Sequence, residues 1–114
     1  MPDVEPVILV HGGAGTISDF AKAERVIAGV KEAAKKGYQV LRSGGSVVDA
    51  VQAAVELMED NEVFNAGRGS YLTLDGEVEM DASIMVGSDL SAGAVTVVKD
   101  IKNPIALARL VMEK

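Results

Sequence analysis

The stretch PVILVHGGAG, residues 6–15, decides how the fold begins. Residues 7–10 form a continuous aliphatic run closed by Gly12 and Gly13, which predicts a short strand buried on both faces. The end of this strand delivers His11 into a glycine turn. The sequence therefore opens with a buried strand and a tight turn that leads towards a helix.

A long amphipathic helix is predicted next. It begins after an N-cap at Ser18 or Asp19 and ends before the glycine pair at 44–45, where glycine accepts a left-handed backbone. Apolar residues recur every three or four positions along it and predict its buried face. These residues are Phe20, Ala23, Ile27, Val30, Ala34, Tyr38 and Leu41.

A second helix is predicted over residues 47–58. Ser46 followed by Asp49 three positions later has the pattern of a capping box. The helix is apolar on most sides, which is typical of a helix that lies between two layers. The segment from Asp60 to Ser70 has no hydrophobic period and contains two glycines, so we expect a structured loop.

The Asp-Gly pair at 75–76 predicts a type I′ hairpin between strands at 71–74 and 78–86. Apolar and polar residues alternate along the second of these strands, so that one face is buried. The other face carries Glu77, Glu79 and Asp81. A salt-bridged or solvated acidic face is favoured there over a divalent-metal cluster, and Asp81, which lies in the motif DASIM, is the candidate exception.

The last part of the sequence predicts a strand at 94–98 and a helix that starts at Pro104 with Asn103 as its N-cap. The apolar period of this helix is still running at Lys114, with no glycine stop. We therefore expect the natural polypeptide to continue. Within residues 1–114 we expect four strands and three helices.

The amino-acid composition excludes several classes of function. The 114 residues include 11 basic and 17 acidic ones, a net charge of −6, which argues against binding to nucleic acid or to an anionic membrane. No cysteine and one histidine exclude disulfides, thiolate catalysis and the usual zinc sites. The first ten residues lack a basic n-region and no apolar run approaches a membrane span. We expect a cytoplasmic protein.

Five motifs occur in order along the chain: VHGGAG at 10–15, GGSVVDAV at 44–51, FNAGRGS at 64–70, GEVEMDASIM at 76–85 and LSAGAV at 90–95. Together they resemble the amino-terminal half of plant-type L-asparaginases, also called isoaspartyl peptidases. This resemblance implies an α+β fold, the αββα sandwich of N-terminal-nucleophile hydrolases, of which only the amino-terminal half is present. Residues 1–114 would then be a single domain or an α-subunit fragment.

The resemblance also implies an activity. A precursor of this family cuts itself before an internal threonine, which then attacks the side-chain amide of L-asparagine or a β-aspartyl bond. The threonines at 16, 73 and 96 do not match that position, so the nucleophile lies outside this chain. The expected partner is a β-subunit beginning with Thr, in an (αβ)2 assembly. The alternative is a non-catalytic, truncated or engineered fragment of the family.

Two site assignments follow from the resemblance. His11, Gly12 and Gly13 would form a loop that supports self-cleavage, and the alternative is a tight turn with a satisfied histidine. An α/β-hydrolase oxyanion loop is excluded because no G-x-S-x-G elbow occurs. Asn65 would lie beside the nucleophile, and the alternative is an asparagine that caps a turn.

The resemblance further implies a structural sodium ion and no organic cofactor. Backbone carbonyls of one loop would bind the ion, which suits a hard cation. Side chains would then matter little, that of Glu59 included, and Gly67 is expected at positive φ. The alternative is a loop held by ordinary turns. The carbonyl donors would be Met58, Glu59, Asn61, Phe64, Ala66 and Arg68.

Overall fold

The computed structural model describes residues 4–114. Within this range lie three α-helices, one 3-10 turn and two strands, which confirms the expected mixture of helix and strand. Helix α1 spans Phe20–Arg42, α2 spans Val47–Asp60 and α3 spans Pro104–Glu113. Strands β1 (Met80–Met85) and β2 (Ala92–Val98) follow a 3-10 turn at Gly67–Gly69.

The caps of α1 and α2 lie where the sequence predicts them. The Asp19 side chain accepts a hydrogen bond from the Ala21 amide at 3.0 Å and begins α1. Ser46 and Asp49 form the complete capping box of α2, with side-chain to backbone distances of 3.0 and 3.3 Å. Between the helices, Gly44 takes a φ of +89°. Local sequence therefore fixes both helix starts and the turn that joins them.

The buried side of α1 differs from the predicted one. Its fully buried residues are Gly29, Ala33 and Gly37, one per turn, whereas Phe20 and Ile27 are exposed. At Gly37 the reason is the close approach of α2, whose buried residues Ala50 and Ala54 are also small, whereas Gly29 faces the loop that follows α2. A Cβ added to Gly37 would lie 3.1 Å from a backbone oxygen of α2. Two helices this close exclude large side chains from their contact line.

Helix α2 is less enclosed than its composition predicts. Ala50 and Ala54 are buried against α1, but Val47 is 62% exposed and Val51 43% exposed. The helix has a partner on α1 and a smaller contact with α3, and its remaining apolar side faces solvent in the described part of the chain. The prediction of a helix covered on most sides is therefore wrong for residues 4–114 as they stand.

The predicted first strand is not formed. Residues 7–10 make no ladder hydrogen bonds, and Val7 and Leu9 are 86% and 93% exposed. Only the other side of the segment packs, where the Ile8 side chain contacts α1 at Gly37. A strand needs a neighbour along its edge, and nothing between residues 4 and 114 supplies one here. The burial predicted on both faces is thus restricted to one.

Strands β1 and β2 form an antiparallel pair, with Ile84 opposite Gly93 and Met85 opposite Ala92. The predicted alternation along β1 is confirmed: Met80 and Ile84 are buried and Ala82, on the same face, packs against the core, whereas Asp81 and Ser83 are exposed on the other face. Helix α3 packs across this pair. The apolar core at this contact consists of Ile84, Ile105 and Ala108.

The predicted type I′ hairpin is wrong in type. The Thr73 amide bonds to the Glu77 carbonyl and the Gly76 amide to the Thr73 carbonyl, so the loop has three residues. Gly76 alone takes a positive φ, +80°, whereas a type I′ turn needs two such residues. A three-residue loop that ends in a glycine at positive φ has the pattern of a type I turn followed by a glycine bulge, and residues 71–74 are not a strand.

The acidic face before and along β1 is salt-bridged, as favoured by the sequence. Lys99 contacts the carboxylates of Glu77 and Glu79, the latter at 3.5 Å. Asp81 accepts two hydrogen bonds of 2.8 Å, from the Val97 amide and the Thr96 hydroxyl. Among residues 4–114 no group of three or more acidic, histidine or cysteine side chains is placed to hold a metal ion.

None of the helices between residues 4 and 114 combines the length and the apolar character that a membrane crossing requires.

Candidate active site

One cavity of about 680 Å³ brings the two predicted site loops together. Its walls are the glycine turn after residue 10, one side of α1, and the end of α2 with the loop that follows. Eight of the ten predicted site residues line it: His11, Gly12, Gly13, Met58, Glu59, Phe64, Asn65 and Ala66. Asn61 is not among the lining residues, and Arg68 lines a separate cavity of about 560 Å³.

The glycine turn is organised by its own histidine. The Gly13 amide donates a hydrogen bond to His11 Nδ1 at 3.0 Å, and Gly13 has a φ of +115°. Because Nδ1 accepts this bond, the proton of the neutral imidazole lies on Nε2. The turn is exposed along its whole length. A satisfied histidine in a tight turn is therefore present, and support of self-cleavage by this turn stays a prediction.

The Phe64 ring joins the glycine turn to α1. The side chain is 5% exposed and lies against two glycines. A Cβ on Gly12 would be 3.2 Å from one ring carbon, and a Cβ on Gly29 would be 2.7 and 2.8 Å from two others. The two glycines thus form a slot that the ring fills. This contact fixes the position of the loop after α2 relative to the glycine turn.

Asn65 closes the loop that it belongs to. Its Oδ1 accepts a hydrogen bond of 2.9 Å from the Tyr71 amide, so the turn-capping alternative describes a contact that is present. The same bond holds the side-chain amide in one orientation. Within residues 4–114, Nδ2 makes no hydrogen bond. Asn65 is exposed at the cavity and offers a donor there.

The loop between α2 and residue 71 folds back on itself through backbone bonds. The carbonyls of Met58, Asn61 and Ala66 accept bonds from Asn61, Phe64 and Gly69 amides at 3.1–3.2 Å. Each carbonyl oxygen retains a second lone pair. Gly67 has the expected positive φ, +54°, and passes directly over the Glu59 carbonyl, while Gly69 passes over that of Phe64.

These features fit the sodium ion that the family resemblance implies. The donors are neutral backbone oxygens of a tightly folded loop, the kind of ligand that a hard monovalent cation prefers. Two of the predicted carbonyls, those of Glu59 and Phe64, lie so close to glycine Cα atoms that side chains there are excluded. The loop therefore has the chemistry and the compactness for a carbonyl ring, and occupation by sodium remains a proposal.

Glu59 has a role that the sequence did not reveal. Its side chain is buried, with the residue 4% exposed, and Oε2 accepts a bond of 3.1 Å from the Ile105 amide in the first turn of α3. Oε1 accepts a bond of 3.2 Å from the Asn103 side chain. Burial raises the pKa of the Glu59 carboxyl, opposed by the bonds from Ile105 and Asn103.

Two expectations are corrected by this contact. Asn103 does not cap α3 through its side chain, which instead donates to Glu59 and to Asp60. The side chain of Glu59 also matters, since it supplies the acceptor that the helix start needs. One sequence signal was available: a carboxylate in the last turn of α2 opposes the helix dipole, so an acid there requires another partner.

Comparison with known proteins agrees with the motifs. A family model described as Asparaginase matches residues 4–114. The chain is 62% identical over 112 residues to a human isoaspartyl peptidase/L-asparaginase and 61% identical over 109 residues to the zebrafish (Danio rerio) protein of the same name. It is 57% identical over 107 residues to a plant-type L-asparaginase of Pyrococcus horikoshii.

These alignments cover nearly all of this chain but only part of each relative. They include 97%, 96% and 94% of the chain and 36%, 35% and 35% of the human, zebrafish and archaeal proteins. The chain thus spans about a third of the length of the curated relatives it matches. Because the family model matches all described residues, the chain belongs to the asparaginase family.

Proposed function

We propose that the protein is the amino-terminal part of a hydrolase that cleaves the side-chain amide of L-asparagine and β-aspartyl (isoaspartyl) peptide bonds. The observation that carries this proposal is the 54–62% identity to isoaspartyl peptidases and plant-type L-asparaginases over nearly the whole chain. The cavity shared by the glycine turn and the Asn65 loop supports it, because both motifs meet at one place.

The proposed chemistry is acyl transfer to a threonine outside this chain. The threonine hydroxyl attacks the carbonyl carbon, its proton passes to the free α-amine of the same residue, and the C–N bond then breaks. Ammonia or a peptide amine leaves with that proton and an aspartyl ester remains. Water hydrolyses the ester, which releases aspartate and regenerates the threonine. No organic cofactor is needed for either step.

Asn65 is the residue of this chain proposed to act in that reaction. Since its Oδ1 is held by the Tyr71 amide, its Nδ2 is left to donate a hydrogen bond into the cavity. A donor of fixed orientation stabilises negative charge that develops on an oxygen during attack. The donor therefore fits either the threonine oxygen or the carbonyl oxygen of the substrate.

The glycine turn and the exposed side of residues 7–10 suggest how the precursor is cut and how its parts assemble. We propose that residues 11–13 support self-cleavage before the threonine, and that the resulting β-subunit pairs with this chain in an (αβ)2 assembly. The exposed sides of Val7 and Leu9 support a completed αββα sandwich, since a strand with one packed face lacks its second layer. Sodium bound by the 58–68 carbonyls would hold the loop that carries Asn65.

The test is an activity assay on the full-length protein. Purified protein should release ammonia from L-asparagine and aspartate from a β-aspartyl dipeptide. Residues 1–114 alone should release neither product, because they lack the threonine nucleophile. A full-length protein that is folded, yet hydrolyses neither substrate, would contradict the proposal and favour the alternative of a non-catalytic family member.

A further inference from the structure

Glu59 connects three parts of the structure that are far apart in sequence. It lies in the last turn of α2, and its carboxylate receives the Ile105 amide and the Asn103 side chain at the start of α3. Those partners are 46 and 44 residues away. Pro104 has no amide hydrogen, so the Ile105 amide is the first one that the start of α3 offers after Asn103.

The backbone of the same residue supports the Asn65 loop. Gly67 passes over residue 59 so closely that an added Cβ would lie 2.8 Å from both the carbonyl carbon and the Cβ of Glu59, and closer still to its carbonyl oxygen. The 3-10 turn that begins at Gly67 therefore rests on Glu59. A movement of residue 59 has to move this turn, which lies between Asn65 and Tyr71 in the sequence.

Helix α3 is held in place by buried apolar contacts with the sheet. Ile105 and Ala108 are 3% and 0% exposed, and they pack against Ile84 on the sheet. Close-packed contacts of this kind do not deform continuously. The Glu59 carboxylate thus connects the loop after α2 to the apolar cluster of Ile84, Ile105 and Ala108.

We propose that Glu59 is a positioning residue, whose carboxylate transmits the position of α3 to the 61–71 loop and so holds Asn65 at the cavity. The consequence for turnover rests on the proposed function, whereas the consequence for loop position does not. Glutamine cannot replace glutamate here without a conflict. Its carbonyl would accept the Ile105 amide, but its NH2 group would then face the NH2 group of Asn103.

The experiment compares full-length wild type with Glu59→Gln and with Glu56→Gln. Glu56 lies one turn earlier in α2, where its carboxylate accepts a bond from Gln52 and has no direct hydrogen bond to α3 among the described residues, so it matches the change in charge. Amide hydrogen exchange is measured at Ile105 and at Tyr71, whose amide bonds to Asn65. Because the facing NH2 groups would push the new side chain at residue 59 out of its position, Glu59→Gln should speed exchange at both sites by about tenfold, and Glu56→Gln at neither.

Steady-state kinetics with L-asparagine give the second readout. Glu59→Gln should lower kcat by about tenfold and change KM by less than about twofold, as expected for a misplaced catalytic group with binding intact. Faster exchange at Ile105 alone, with Tyr71 and kcat at wild-type values, would overturn the proposal. Wild-type protein without activity would refute the proposed function, and the exchange data would still decide the role of Glu59.

A second variant keeps the test decisive if Glu59→Gln does not fold. Asn103→Ala removes one of the two donors and leaves the Ile105 bond to Glu59 in place. It should speed exchange at Tyr71 and lower kcat in the same direction by about threefold, a smaller effect because one bond remains. Wild-type exchange at Tyr71 in folded Asn103→Ala protein would count against the connection.

Discussion

The Phe64 ring lies directly against the Cα of Gly29, so that a Cβ at residue 29 would be 2.7 Å from Cε2 and 2.8 Å from Cζ. Carbon atoms in good van der Waals contact lie about 3.5–4.0 Å apart, so this position admits only glycine. A Cβ on Gly12 would lie 3.2 Å from another carbon of the same ring, Cε1. The relative position of the two site loops therefore depends on the Phe64 ring and on the lack of side chains at Gly12 and Gly29.

Gly29→Ala should destabilise the protein although alanine is the better helix former. The gain in helix propensity is about 1 kcal/mol, and displacement of the buried ring should cost about 2–3 kcal/mol. We expect a lower free energy of unfolding in urea. Gly15→Ala is the control, since nothing lies within 4 Å of its added Cβ. Equal stability of the two variants would contradict the described slot.

Gly67→Val should damage the Asn65 loop. Gly67 combines a φ of +54° with close contact to Glu59, so valine meets both backbone strain and overlap. A loss of about 3 kcal/mol or more is expected. Gly76→Ala isolates the strain, because Gly76 has a φ of +80° and open space around it, and should cost about 1 kcal/mol. Similar losses in urea denaturation would show that contact with Glu59 is unimportant.

Substitutions of Asn65 separate its two possible roles. Asn65→Asp keeps an oxygen that accepts the Tyr71 amide but removes the Nδ2 donor, whereas Asn65→Ala removes both. Both variants should reduce turnover or self-cleavage by about 10- to 1000-fold, and only Asn65→Ala should loosen the loop. Full activity in Asn65→Asp would leave Asn65 with its turn-capping role alone.

The sequence predicted well wherever the signal is local. The Asp19 cap and the Ser46/Asp49 box need only residues within one helical turn, and both are present. It predicted less well where a contact comes from elsewhere in the chain. Residues 7–10 have the composition of a strand but no neighbouring strand among residues 4–114. At the start of α3 the side-chain acceptor comes from Glu59 rather than from Asn103.

In the candidate site, too, local motifs could be predicted from the sequence and contacts between distant residues could not. The residue types of the glycine turn and of the Asn65 loop could be matched by motif, and the structure places both at one cavity. The slot for Phe64 could not be predicted, because a glycine inside a helix pattern does not say which side chain approaches it. The importance of Glu59 could not be predicted either, because its side chain is buried by contacts with residues far away in the sequence.

The Asp81 carboxylate should make stability depend on pH. Hydrogen bonds from the Val97 amide and then the Thr96 hydroxyl hold its pKa below the ordinary value of 3.8. A depressed folded-state pKa gives stability that is present above the unfolded value and is lost as the pH falls through the folded value. These bonds also hold Val97, which has a φ of +55°.

Asp81→Ala should therefore lower the Tm at pH 7 by a few degrees, and the difference from wild type should shrink below about pH 3.8. Thermal melts of both proteins across this range measure the effect. Ser83→Ala, on the same face of β1, has no titratable group to lose and should show no such pH-dependent difference. A Tm difference for Asp81→Ala that stays constant down to the lowest pH would contradict the assignment.

The most direct measurement of the central claim is the intact mass of the purified full-length protein, with amino-terminal sequencing of each component. We predict two chains whose masses sum to that of the precursor plus one water, the second of which begins with threonine, since hydrolysis of one peptide bond creates the nucleophile with its free amine. A single uncut chain that nevertheless hydrolyses L-asparagine, or a cut that leaves another residue at the new amino terminus, would contradict it.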